Sequence, residues 1–133
     1  MKIASGSERA SRKGPADWFT GDVWIDEIFR GADSSRTRLL RVSFPPGART
    51  AWHTHPVGQI LHVLSGEGLV QTSGEPPRTI HPGDTVVIAP GERHWHGAGP
   101  ANTMVHLALY ETDARGVDAV WMEHVTDAEY NAR

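Results

Sequence analysis

The chain has 133 residues, one domain's length, with 16 Asp+Glu against 13 Lys+Arg, eight His and no Cys. A formal charge of −3 gives no basic stripe for a phosphate backbone, although Arg9, Arg12 and Lys13 make the start locally positive, so no nucleic-acid partner is expected. Without cysteine there is no disulfide, thiolate metal site or cysteine nucleophile, and any metal must be held by nitrogen and oxygen.

In chain order, residues 1–16 are small, polar and punctuated by Gly and Pro, which predicts a loose arm unless a partner subunit orders it. They carry no apolar core of a signal peptide, and no later run reaches the length of a membrane span, so a soluble cytoplasmic protein with no membrane partner is expected. From Trp18 on, short runs rich in Val, Ile, Trp and Phe alternate with turns, which predicts an all-β sandwich or barrel. Strands are predicted at 23–29, 38–44, 51–55, 60–65, 68–73, 78–81, 85–89, 93–97 and 103–111, separated by turns such as "PPG", "HPGD" and "PGE". Pro then Gly suits a type II turn, where Pro fixes φ at the first corner and Gly accepts a positive φ at the second. Thr126, three residues before Glu129, predicts a capping box opening a short C-terminal helix of about two turns.

Side chains alternate faces along a strand, so parity sorts the histidines. In "TAWHTHPVGQILHVLSG", His53 and His55 point one way, and Gln59 shares a side with Leu61 and Val63. His62 falls on the other side with Ile60 and Leu64. His94 and His96 share a face, and His106 shares one with Met104, Ala108 and Tyr110. If these faces line one interior, five imidazoles and one amide meet in a single cavity. His62, His81 and His124 are expected at the surface or an interface, and Met104 and Leu61 in the core.

The spacing resembles the small single-domain cupins. Gly47, His53, His55, Gln59 and Gly66 follow the first cupin motif, G-x5-H-x-H-x3-4-E-x6-G, with Gln in the Glu place. "GDTVVIAPGERH" resembles the second motif through Gly83, Gly91 and His94, with Pro90 one residue late and Ala98 in place of the Asn. "KGPADWFTGDVWID", "PGARTAWHTHPVGQ", "PGERHWHGAGP", "MVHLAL" and "VWMEHVTDAEY" narrow the likeness to the bacterial manganese-dependent cupin hydroxynitrile lyases. The resemblance implies a cupin domain at 17–133, with its barrel core at about 38–111, closed by the short helix. It also implies a homodimer or homotetramer with one divalent metal per subunit, manganese by likeness, on His53, His55, Gln59 and His94. Iron, zinc, nickel or cobalt would also suit these ligands.

Such a set adds no negative charge, so the ion keeps its attraction for an anionic ligand. His96 and His106 are the expected acid and base, because imidazole exchanges protons near neutral pH. Applied to a cyanohydrin, one imidazole takes the hydroxyl proton as the C–C bond breaks to an aldehyde, and the departing cyanide is protonated. His106 is assigned to the hydroxyl proton or the cyanide. Leu40 and Val42 are expected on one wall of the small-molecule pocket with Tyr110 beside His106, while Trp52 and Trp95 fall on the opposite parity, in packing or a subunit interface. The competing readings are a cupin dioxygenase with a redox metal, an isomerase of a sugar or small acid, and a metal-binding cupin without catalysis.

Overall fold

The computed structural model describes residues 1–133 as two antiparallel sheets and one short helix. The first sheet contains, in spatial order, β1 (Ser11–Lys13), β3 (Trp24–Arg30), β4 (Thr37–Phe44), β12 (Met104–Glu111), β7 (Gln59–Gly66) and β10 (Thr85–Ile88). The second runs β13 (Val120–Trp121), β6 (His53–Thr54), β11 (His94–Ala98), β5 (Arg49–Thr50) and β2 (Phe19–Thr20). Strand β8 (Gly68–Thr72) also pairs with β11, and β9 (Arg78–Ile80) pairs with β8.

Inward-facing apolar residues join the sheets. Ile25, Val42, Phe44, Val63 and Met104 from the first pack with Phe19, Val70, Ile80 and Ala98 from the second. Strand β7 shows the alternation that predicts this: Gln59, Leu61 and Val63 are buried, whereas Ile60 and Leu64 are exposed. The turn after it needs glycine. Gly66 has φ +80°, and a Cβ there would lie 1.8 Å from the Thr103 carbonyl oxygen.

Three details depart from the sequence reading. The strand predicted at 51–55 breaks into β5 and β6, because the Ala51 and Trp52 N–H groups leave the ladder and donate to Trp18 O (2.8 Å) and Glu123 O (3.0 Å). The two-residue strands β2 and β13 were too short for alternation to reveal, and β13 has Trp121 opposite His53. Strand β1 lies inside the segment expected to be loose. It pairs Arg12 with Ile25, continues through Gly14 N–H to Val23 O (2.8 Å), and is tied by Lys13 to Asp22 at 2.8 Å. Residues 1–10 stay exposed.

The helix α1 (Asp127–Asn131) opens with the expected capping box, since the Glu129 N–H donates to the Thr126 hydroxyl and the Thr126 N–H to the Glu129 carboxylate. It is only five residues long, shorter than the two turns expected. The segment around it covers Trp52 and Trp95, which form a second core with Leu69, Val125 and Tyr130, so both indoles serve packing within the chain. Buried Arg49 anchors this segment, donating to Val125 O and Asp127 Oδ1 at 2.8 Å each.

Candidate active site

Register on the first sheet's inner face decides which side chains meet. One row crosses β3, β4, β12 and β7 as Ile25, Val42, His106 and Val63, and the next places Leu40 and Ala108 beside Leu61. A third brings Arg38, Tyr110, Gln59 and Ile88 together. Leu40, Val42, Tyr110, Gln59 and His106 are thus gathered by strand pairing, as parity predicts.

The second sheet supplies the other imidazoles. His53 pairs with His94 across β6 and β11, with ring centroids 4.2 Å apart. His96, two residues on, shares the His94 face, and its ring centre lies 5.4 Å from that of His53. His55 lies in the turn after β6, 5.0 Å from His53 and 5.7 Å from His94 between ring centres. All five histidines and Gln59 are buried. The ring nitrogens of His53, His94 and His96 lie within 4.8 Å of one another, and the expected ligand His55 is not part of that triplet. His96 joins because alternate residues of one strand share a face, so His94 and His96 point the same way.

Backbone carbonyls fix the tautomers of three rings. Nδ1–H of His53 donates to Ala51 O (2.9 Å), that of His55 to Asp118 O (2.7 Å), and that of His94 to Glu92 O (2.9 Å). A carbonyl oxygen can only accept, so each Nδ1 carries the proton and each Nε2 presents a lone pair. This arrangement orients metal-ligating histidines. The Nε2 atom of His55 is buried without a partner, and that of His94 faces Gln59 Oε1 at 3.3 Å, one acceptor against another. A divalent cation relieves both conditions, so this neutral set of imidazoles and amide oxygen fits a metal of the Mn, Fe, Co, Ni or Zn kind. Burial holds His94 down to about 4 and pushes His53 and His55 below the ordinary imidazole range, which keeps the rings neutral for ligation.

His96 also pairs with His106, and so joins the histidine cluster to a second imidazole. His106 Nε2 and His96 Nδ1 are 3.0 Å apart, while His96 Nε2 and His106 Nδ1 are buried with no partner. Burial lowers His106 to about 4 and His96 well below its ordinary value, so both are neutral at pH 7. In two neutral imidazoles sharing one hydrogen bond, one outer nitrogen bears a proton and the other a lone pair. The pair therefore offers one acid and one base, and uptake of a proton at the outer lone pair, transfer across the bond and release from the other outer nitrogen exchange the two roles.

These groups surround a cavity of about 160 Å³ lined by His53, His55, Gln59, His96 and His106, with Leu40, Val42 and Tyr110 among its walls. His94 does not line it. Burial, with the Asp118 carboxylate, pushes the Tyr110 phenol up to about 12, so it remains a neutral donor. Sequence reasoning missed Arg12, Thr50, Asp118 and Trp121 on this cavity. Thr50 accepts the His96 backbone N–H at 3.1 Å. Trp121 and Arg12 enter on strands of two and three residues, where no periodicity can point to a face. His62, expected to point away, does so and meets the Thr85 hydroxyl at 3.0 Å on the outer face. His81 and His124 are exposed.

Comparison with known proteins agrees with this architecture. The cupin domain family matches residues 40–109. An (R)-mandelonitrile lyase of Granulicella tundricola is 53% identical over 131 residues, 98% of each chain. A cupin-like protein of Thermotoga maritima has a crystal structure that superimposes with a TM-score of 0.85 at 41% identity, covering 96% of this chain and 95% of that one. The polyketide cyclase RemF of Streptomyces resistomycificus shares the fold at a TM-score of 0.75 and 20% identity, over 98% of this chain and 90% of its own. With a family match over the barrel and relatives aligned from end to end, this chain belongs to the cupins.

Proposed function

We propose that the chain is a hydroxynitrile lyase-like cupin that cleaves a cyanohydrin to an aldehyde and hydrogen cyanide and also runs the reverse addition. The observation that carries the reading is the 53% identity, along 98% of both chains, to an (R)-mandelonitrile lyase. The buried acid–base pair beside a metal-fitting cluster supplies the matching chemistry.

His53, His55, Gln59 and His94 would hold one divalent metal, with manganese as the ion proposed, and such an ion would supply Lewis acidity at the site. His106 takes the hydroxyl proton of the cyanohydrin. The C–O bond becomes a carbonyl as the C–C bond breaks, and its electron pair leaves with cyanide. His96, coupled to His106 through their 3.0 Å hydrogen bond, returns a proton to the cyanide, so the pair ends with the protons it began with. Leu40 and Val42 pack against the apolar part of the substrate, and the Tyr110 hydroxyl donates to a substrate oxygen.

The test is benzaldehyde release from mandelonitrile by metal-loaded protein, followed by absorbance, with chelator-stripped protein as control. Turnover that depends on added metal supports the reading, and none with any of the five metals removes it.

A cytoplasmic homodimer or homotetramer is proposed as well. No helix is long and apolar enough to cross a membrane. On the outer face of the first sheet, Phe29, Leu39, Leu109, Ile60 and Val87 are successive cross-strand neighbours, an apolar row that a second copy would cover. Light scattering measures the assembly.

A further inference from the structure

We infer that Trp121 is a positioning residue that sets the plane of the His53 imidazole, and thereby the direction in which its Nε2 reaches a metal. The inference rests on the reading that His53 is a ligand. The His53 ring lies flat against the indole, with centroids 4.4 Å apart and planes 23° apart. The indole also stacks on Trp18 at 5.0 Å and 8°, and Phe19 meets it at 6.0 Å. Trp121 is thus held by stacking on Trp18, at the edge of solvent, as well as against the buried His53.

Stacking suits this task because it acts on the ring face and leaves both in-plane nitrogens free. Nδ1–H of His53 goes to Ala51 O, which stops the ring sliding along its plane. The hydrogen bond alone leaves rotation about the N–H···O axis, and the indole removes it. Strand pairing aligns the two residues, since Trp121 stands directly opposite His53. The same short segment supplies the Asp118 carbonyl that orients His55. Residues 118–121 therefore brace two of the ligand histidines from outside the barrel strands that carry the cupin motifs. The helix segment behind them is anchored on buried Arg49.

The experiment is Co²⁺ titration of metal-free Trp121→Phe, Trp121→Leu and parent protein, reading affinity and the visible d–d spectrum, which reports ligand geometry. Trp121→Phe keeps a flat ring and is expected to retain the parent spectrum with affinity within about threefold. Trp121→Leu keeps bulk without a flat face and is expected to lose about tenfold or more in affinity, the scale of losing an outer partner of a ligand, with a changed spectrum. Circular dichroism confirms that both variants fold. A leucine variant with the parent's affinity and spectrum overturns the positioning role, as does a phenylalanine variant as impaired as the leucine one. A parent that binds no Co²⁺, Mn²⁺ or Zn²⁺ removes the metal reading itself, and this inference with it.

Discussion

His106 on β12 and His96 on β11 belong to different sheets, yet their imidazoles share a 3.0 Å hydrogen bond between the two sheets. Each ring leaves one buried nitrogen without a partner. That condition is costly for structure alone and useful for proton transfer. His106→Ala is expected to lower kcat by about 10²–10⁴ while metal content stays that of the parent. His96→Ala should cost a similar amount, and the double variant little more than either single one, because the two act as a unit. Steady-state kinetics with elemental analysis measures this, and loss of metal from His106→Ala would make it a ligand instead.

Gln59 stands where a carboxylate is usual in the motif. Gln59→Glu adds a negative charge beside His55 and His94, and is expected to tighten Mn²⁺ binding while lowering kcat by on the order of tenfold, about 1.4 kcal/mol in barrier. Isothermal titration with parallel turnover assays tests the pair of effects. Unchanged kcat would show that ligand charge does not limit the reaction.

Five buried histidines have depressed proton affinities, all with burial as the leading cause. The unfolded chain binds these protons near pH 6.5 while the folded chain does not. Stability of the metal-free protein is therefore fully present above about pH 6.5 and lost as pH falls toward about 4, by up to about 1.4 kcal/mol per pH unit for each group. Urea midpoints between pH 8 and 4.5 should be level at first and then decline. Constant midpoints below pH 6 would show that the rings are protonated in the folded state.

Leu40 sits beside Ala108 on the row next to His106. Leu40→Ala opens the pocket, and is expected to raise kcat/KM for bulkier aryl cyanohydrins relative to mandelonitrile by about tenfold. A substrate panel reads this ratio, and an unchanged ratio would place the aryl group elsewhere. At the other end of the chain, Thr126→Ala removes the helix cap and should cost about 1 kcal/mol of stability by thermal unfolding, with kcat unaffected.

Most of the site was legible because strand alternation has period two. His53, Gln59, His94, His96 and His106 each occupy the inward parity of their segments, while the outward parity of His62 separated it from them. The motif spacing added the order in which they meet. What stayed hidden came from contacts that no local period encodes. Trp121 and Arg12 reach the cavity on very short strands placed by pairing with distant residues. His55 and His94 are oriented by the carbonyls of Asp118 and Glu92, backbone groups that any residue type would supply. The split between β5 and β6 followed from two backbone N–H groups finding partners at Trp18 and Glu123, far away in the chain.

The proposed reaction is a metal-dependent, oxygen-independent cleavage of a carbon–carbon bond. The most direct measurement supplies manganese-loaded protein with mandelonitrile under nitrogen and records benzaldehyde and cyanide together. Equal amounts of both products are expected, at a rate unchanged by excluding oxygen. No aldehyde under nitrogen, with oxygen consumed when a catechol or flavonol is supplied in air, would contradict it and favour a dioxygenase.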